Sequence, residues 1–260
     1  MKKLPDFRFE KKLWAKGYFV IGVDEVGTGA LAGPVYAGAV CFNCFDIENS
    51  STQFLSHESL TASNAVPSKV KKLLFPRFHK KNSTDSGEIS KILKLGINDS
   101  KKLSSVKRKM LARIIKDISL SYATGYVSNK VINKIGIVKA TQKAMRQAIH
   151  KLKAKLNKKK VYVLIDAYNI KYLKGIGLKN QKAIIKGDEK SISIAAASII
   201  AKVERDQKMI KLDQKYPIYF WKNNKGYGTK KHISALKKSG KSNLHRDLFL
   251  RNIFNKSGDA

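Results

Sequence analysis

Four acidic side chains stand at the ends of apolar runs in a chain with a formal charge of +34. They are Asp24 and Glu25 in YFVIGVDEVGTG, Asp166 in VYVLIDAYN, and Asp188 in AIIKGDEKS. With 19 Asp plus Glu against 53 Lys plus Arg, acids closing three separate apolar runs are not surface filler. Carboxylates gathered in a partly buried site repel one another and must be neutralised by protons or cations. Hard oxygen donors of this kind suit Mg²⁺ or Mn²⁺. Two such ions held by four carboxylates are equipped to cleave a phosphodiester, and the basic remainder of the chain suits a nucleic acid.

The elements that must carry these acids can be read from the pattern. Residues 18–24 predict a buried strand, and a second apolar run spans Val35 to Phe45 after the turn GTGALAGP. Ser104 caps a predicted helix, SVKRKMLARIIKDI, whose apolar positions are Met110, Leu111, Ile114 and Ile115. SYATGYVS alternates like a strand, and a basic helix runs from Val138 to Leu156. VYVLID and QKAIIKGD are predicted strands, with Asp166 and Asp188 at their ends. SISIAAASIIAKVERDQKMIKL is a helix with an Ala-rich face, stopped by Pro217. A last helix, HISALKKSG, has Thr229 as its N-cap and Gly240 as its stop. Strands followed by alternating strands and helices predict an α/β sandwich around a mixed sheet, and ligands of open α/β sheets sit at the C-terminal strand ends.

Between about 46 and 96 the texture turns polar and Ser/Asn-rich, as expected of a surface insertion in which KVKKLLFPRF is a short amphipathic piece. The length of 260 residues and 43% apolar content fit one sizeable domain with an appendage. No run reaches the roughly 18 apolar residues of a membrane span, and no apolar stretch follows the N-terminal lysines. A cytoplasmic protein is therefore expected. Of the 53 basic residues eight are Arg, so a lysine-rich composition contributes to the charge, but a charge this large still attracts polyanions.

Other patterns lead away from chemistry. Cys41 and Cys44 form a C-x-x-C with no second pair to complete a zinc site, and are read as two reduced thiols at a strand end. Gly27-x-Gly29-x-x-x-Gly33 follows a strand, but Pro34 and another strand follow it, so no helix N-terminus awaits a pyrophosphate. Glycines there still allow close approach to a sugar or phosphate. No nucleophile elbow or P-loop occurs. Glu189 reads as a helix-start acid favoured by the macrodipole.

Taken together, GVDEVGTGALAGPV, NDSKKLS, VLIDAYN, KGDEKSISIAAASIIAKVERD and NKGYGTKKH resemble, in order and spacing, the type 2 ribonuclease H (ribonuclease HII) family from about Trp14 to Arg246. The resemblance implies a ribonuclease H-like mixed β-sheet flanked by helices over 14–215, and a small helical extension over 216–260. It implies an enzyme of ribonucleotide repair that cleaves the RNA strand of RNA–DNA hybrids and nicks 5′ to a ribonucleotide embedded in duplex DNA, leaving 3′-OH and 5′-phosphate. Asp24, Glu25, Asp166 and Asp188 match the catalytic carboxylates that hold two divalent cations, Mg²⁺ or Mn²⁺. Asp24 and Glu25 are adjacent, so Asp24 is expected at a frayed strand end for both to reach metal. Tyr227 matches the tyrosine at the ribonucleotide–deoxyribonucleotide junction. Lys101 and Lys202 match positions near the scissile phosphate, and Ser100 helps position the same loop. Gly27, Thr28 and Gly29 stand where the family usually carries Gly-Arg-Gly, so the preference for a single ribonucleotide is the property most exposed to this change. The partners implied are RNA–DNA hybrid and ribonucleotide-containing duplex, bound by a monomer away from membranes. The competing expectations are a basic binding homologue without catalysis and a type 3-like hybrid ribonuclease.

Overall fold

The computed structural model describes residues 4–43, 85–157 and 160–254. Five strands form one sheet in the order β3-β2-β1-β4-β5. They are β1 (Phe19–Val26), β2 (Val35–Cys41), β3 (Ser121–Val127), β4 (Val161–Asp166) and β5 (Gln181–Ile184). β1, β2 and β3 pair antiparallel, whereas β4 and β5 run parallel to β1. The expected mixed sheet is present.

Each face of the sheet is covered by one long helix. α5 (Ile137–Lys155) lies over β1, β2 and β3, with Ala140, Ala144, Met145, Ala148, Ile149 and Leu152 buried. The helix expected from Val138 to Leu156 is thus present, and a short α4 (Asn129–Ile135) precedes it, separated at Gly136. α6 (Ile192–Asp213) covers the opposite face, and its Ala195, Ala196 and Ala197 let it pack close. Gly22 and Gly38 are the sheet's counterpart. A Cβ on Gly22 would lie 2.1 Å from the Ser193 carbonyl carbon, and one on Gly38 2.2 Å from the Ala197 oxygen. Fully buried Ile194, Ile199 and Ile200 flank these contacts, each contributing about 1.5–3 kcal/mol of burial.

On the same face lie α1 (Arg8–Trp14), α2 (Asp85–Lys94) and α3 (Ser105–Ile118). Ser104 caps α3 as expected, accepting from the Lys107 amide at 3.2 Å. Leu111, Ile114 and Ile115 are buried, but Met110 is exposed, because the apolar stripe is one residue narrower than the sequence implied. α2 falls inside the stretch expected to be a polar insertion, yet Ile89 and Ile92 enter the core. The rest of that stretch, with KVKKLLFPRF, lies outside the described residues. β2 ends at Cys41, short of the expected Phe45, and Cys41 is buried; Cys44 is outside the described residues.

After α6 the chain makes a 3-10 turn (Pro217–Tyr219), then α7 (Trp221–Asn224), α8 (Lys230–Ser239) and α9 (Asp247–Phe254). Thr229 caps α8 and Gly240 ends it, as expected. These pieces pack around Tyr219, Trp221, Leu236 and Leu250, and into the same cluster reach Met209 of α6 and Ala32 of the β1–β2 loop. The expected boundary at 215/216 therefore runs through a shared core. Among the described residues, no helix is long and apolar enough to cross a membrane.

Candidate active site

Asp24 and Glu25 do not sit at a frayed end. β1 continues to Val26, and the ladder with β2 holds both acids, Asp24 opposite Gly38 and Glu25 opposite Ala37. Side chains alternate across a strand, so the two acids leave opposite faces. Asp24 shares the α6 face with Val20 and Gly22, and Glu25 shares the α5 face with Ile21 and Val23. Val23 is in register with Ile165, so Asp166 stands one step on, beside Asp24 and on its face. Asp188 is not the end of β5, as expected, but lies past it in a 3-10 turn (Gly187–Glu189). The Asp166 carboxylate reaches that turn, accepting from the Gly187 amide at 2.6 Å.

Neighbouring acids act on Asp24, Glu25 and Asp188. Asp24, buried at 5% exposure, is pushed well above the usual carboxylate range. Burial is the main cause, Glu25 adds to it, and Asp166 and Asp188 contribute further, while the Ser198 hydroxyl opposes the rise. Glu25 is raised by burial and by Asp166, with Lys101 partly offsetting it. Asp188 is pushed up to about 6, first by burial and then by Asp99 and Asp166. Tyr168 borders the same space, its phenol raised to about 12 by burial and by Glu25, Asp24 and Asp166.

Four acids at one sheet edge form a hard oxygen donor set that fits a divalent cation by its chemistry. Among the described residues, no three His, Cys, Asp or Glu side chains are gathered closely enough to form a ligand group on their own. Glu25 leaves the strand face opposite to that of Asp24 and Asp166, which accounts for that spread.

The remaining predicted residues fall into two groups. Ser100 and Lys101 belong to the sheet-edge cluster, in a 3-10 turn (Ser100–Lys102) capped by Asp99. The Ser198 hydroxyl donates to Ser100 Oγ at 3.0 Å, placing Ser100 behind Asp24. Burial works to lower the Lys101 ammonium, but Asp99, Asp24 and Asp188 together outweigh it and leave it raised. Lys202, in contrast, is turned to Asp206 at 2.8 Å and is lowered chiefly by burial. Its ammonium also lies 5.4 Å from the centre of the Tyr227 ring, and the Arg205 guanidinium lies 5.2 Å from it. Tyr227 is half-buried just ahead of α8, so the structure joins Lys202 to Tyr227 more directly than to the acids.

Gly27 has φ +90°, and a Cβ there would lie 2.1 Å from Arg205 Nε, so the turn requires glycine. The loop of Gly27, Thr28 and Gly29 is held from behind by Arg246, whose Nη1 donates to the carbonyls of Gly27 at 2.7 Å and Thr28 at 3.0 Å.

Sequence reasoning missed four supporting residues. Asp99 is a fifth acid beside the site, legible only as part of NDSKKLS. Glu10 is fully buried and accepts from Ser191 Oγ at 2.6 Å, Ser193 Oγ at 2.7 Å and the Ser193 amide at 3.0 Å. It thereby clamps α1 to the chain that leaves the Asp188 turn. Arg205 and Arg246 are buried among backbone carbonyls, a fate that an arginine's charge does not announce. Glu189, expected as a helix-start acid, instead pairs with Lys102 at 2.6 Å, since Ser191 caps α6.

A sequence profile described as Ribonuclease HII matches residues 83–256. A ribonuclease HII of Caldicellulosiruptor bescii is 40% identical over 249 residues, covering 95% of this chain and 94% of that one. Such a span leaves too few residues outside it to omit Asp24 and Glu25. Among solved structures, the ribonuclease H2 of Pyrococcus horikoshii OT3 superposes with a TM-score of 0.61 at 22% identity, covering 93% of this chain and 99% of that chain. Bst-RNase HIII in complex with Mn²⁺ reaches a TM-score of 0.55 at 18% identity, covering 92% and 68% respectively. At those identities both structures speak for the fold alone, which types 2 and 3 share. The profile match and the close sequence relative decide between them: the chain belongs to the ribonuclease HII family, endoribonucleases that degrade the RNA of RNA–DNA hybrids.

Proposed function

We propose that this ribonuclease H hydrolyses the RNA strand of hybrids and nicks 5′ to ribonucleotides embedded in duplex DNA, by metal-assisted in-line attack that leaves 3′-OH and 5′-phosphate. The observation that carries this reading is the gathering of Asp24, Glu25, Asp166 and Asp188 at one edge of the sheet. There Asp166 stands beside Asp24 and accepts from the turn that holds Asp188, and the charges of Asp166 and Asp188 help to raise Asp24 and Glu25. A module that only bound nucleic acid would gain nothing from acids turned toward its own polyanionic ligand.

Asp24, Glu25, Asp166 and Asp188 would hold two divalent cations, Mg²⁺ or Mn²⁺. The chemistry they would supply there is a lowered pKa for the attacking water and neutralisation of charge on the departing 3′ oxygen. The chain's own groups do the rest. Lys101 brings a cation against the acids and can meet a phosphate oxygen without leaving the cluster. Gly27, Thr28 and Gly29 offer backbone groups to a ribose 2′-hydroxyl, and Tyr227 offers a ring face to the neighbouring sugar or base. Lys202 acts behind Tyr227 rather than on the scissile phosphate. Residues 14–215 form the catalytic unit and 216–260 the extension that carries Tyr227. The protein acts as a cytoplasmic monomer.

The test is an end-labelled duplex containing one ribonucleotide, incubated with Mg²⁺, Mn²⁺ or EDTA. The expected result is a cation-dependent nick 5′ to the ribonucleotide. Cutting of long hybrids but not of this duplex would instead favour type 3-like behaviour, the reading to which Thr28 in place of Arg points. Binding without cutting of either would leave a non-catalytic homologue.

A further inference from the structure

Tyr227 and the Gly27–Gly29 loop lie far apart in the chain, yet one buried polar chain in the extension reaches both. Trp221 Nε1 can only donate, and it faces His232 Nε2 at 3.1 Å. That leaves the His232 proton on Nδ1, which donates to the Tyr227 carbonyl at 2.9 Å. Ser242 supplies its backbone N–H to His245 Nδ1 at 2.9 Å, so the His245 proton sits on Nε2 and faces His232 Nε2 at 3.1 Å. Both rings are neutral and their tautomers are fixed by their neighbours. Beyond His245 comes Arg246, whose amide donates to the Leu31 carbonyl at 2.8 Å. Its guanidinium donates to the carbonyls of Gly27, Thr28 and Gly33.

Arg246 is fully buried, and among the described residues no ion pair reaches it. Its Nη2 has no hydrogen-bond partner there. A buried guanidinium without a carboxylate costs stability. What it supplies is position: the carbonyls of Gly27, Thr28 and Gly33 are held inward, while Thr28 and Gly29 reach the surface. This bears on Thr28, which has no guanidinium of its own to anchor the loop.

We propose that His232 and Arg246, joined through His245, are positioning residues that hold Tyr227 and the Gly27–Gly29 loop in one fixed relation, and so set the preference for an embedded ribonucleotide over a long hybrid. The proposal rests on the reading of Tyr227 and the glycine loop as the ribose-contacting surface. Neither positioning residue touches the carboxylates, so discrimination rather than hydrolysis depends on them.

The test measures kcat and KM on a single-ribonucleotide duplex and on a long hybrid, for the full chain and for His232→Phe, His232→Asn, Arg246→Met and Tyr227→Ala. Asn keeps a donor near the place of Nδ1, whereas Phe removes it. His232→Phe and Arg246→Met should lower the single-ribonucleotide to hybrid ratio of kcat/KM by about tenfold, the size of one lost oriented hydrogen bond. His232→Asn should restore most of the ratio. Equal losses on both substrates, or a ratio that Asn fails to restore, would reduce these residues to ordinary core and overturn the proposal. If Tyr227→Ala shifts the ratio and the other variants do not, the positioning role alone fails. If Tyr227→Ala leaves the ratio unchanged, the ribose-contacting surface itself is misassigned and the proposal fails with it. Melting temperatures of the variants separate unfolding from either outcome.

Discussion

At the sheet edge, Asp24, Glu25 and Asp188 are acids crowded beside acids; in the extension, His232, His245 and Arg246 are bases set among carbonyls and one another. Both groups are withdrawn from water, but only the second is largely satisfied by the chain itself. The first raises its own proton affinity, with Asp188 at about 6. The second lowers it, with His245 pushed down to about 4 by burial and by His232. A region that holds charge it cannot satisfy calls for an outside cation, and a region that satisfies its polar groups internally serves as scaffold.

The largest break in this contrast comes from removing one acid. Asp24→Asn or Asp188→Asn should reduce hybrid cleavage by at least about a hundredfold, while hybrid binding holds or tightens because less negative charge faces phosphate. Single-turnover cleavage and a filter-binding assay check the two halves of that statement.

The same substitution should stabilise the fold in the absence of divalent cations. A raised folded pKa means the folded Asp188 holds its proton more tightly than the unfolded one, so stability falls as pH rises from about 4 through about 6. Asp188→Asn removes that loss and should gain about 1 kcal/mol at pH 7 after allowance for the part of the carboxyl open to water. Urea melts at pH 7 in EDTA check the sign.

Acid sharpens the contrast further. His245 has a lowered folded pKa, so its contribution is present above its usual value and is lost as pH falls toward about 4. Between pH 7 and pH 5 the sheet edge should therefore gain stability while the extension loses it. Hydrogen exchange of the α8 and β1 amides, followed separately, would show opposite trends.

The smallest of these effects to attribute to any one residue is the salt response. Log affinity for hybrid should fall by about 0.9 per log unit of salt for each phosphate neutralised. A flat response would remove the basic surface from the account.

The sheet and the long helices were legible because their signals are local: apolar runs for β1 and β4, and the Ser104 and Thr229 caps for α3 and α8. α2 was hidden because two buried isoleucines in a polar stretch make a weak periodic signal. The four acids could be picked out because a carboxylate at the end of an apolar run is unusual in so basic a chain. Their exact placement was not legible. Asp24 was expected at a frayed end and is held in the β1–β2 ladder, and Asp188 was expected at a strand end and lies in a turn. Glu10, Arg205 and Arg246 escaped because burial of a charge depends on distant backbone that no local pattern encodes.

The most direct measurement is calorimetric titration of Mn²⁺ into the full chain and into Asp24→Asn, Asp166→Asn and Asp188→Asn, without nucleic acid. Saturable binding to the full chain is expected, tightening as pH rises through about 6, as the Asp188 carboxyl gives up its proton. Each substitution should weaken it by at least about tenfold, since even residues behind a ligand can cost that much. Unchanged Mn²⁺ affinity in all three variants would contradict the assignment of these acids as one cation-holding site.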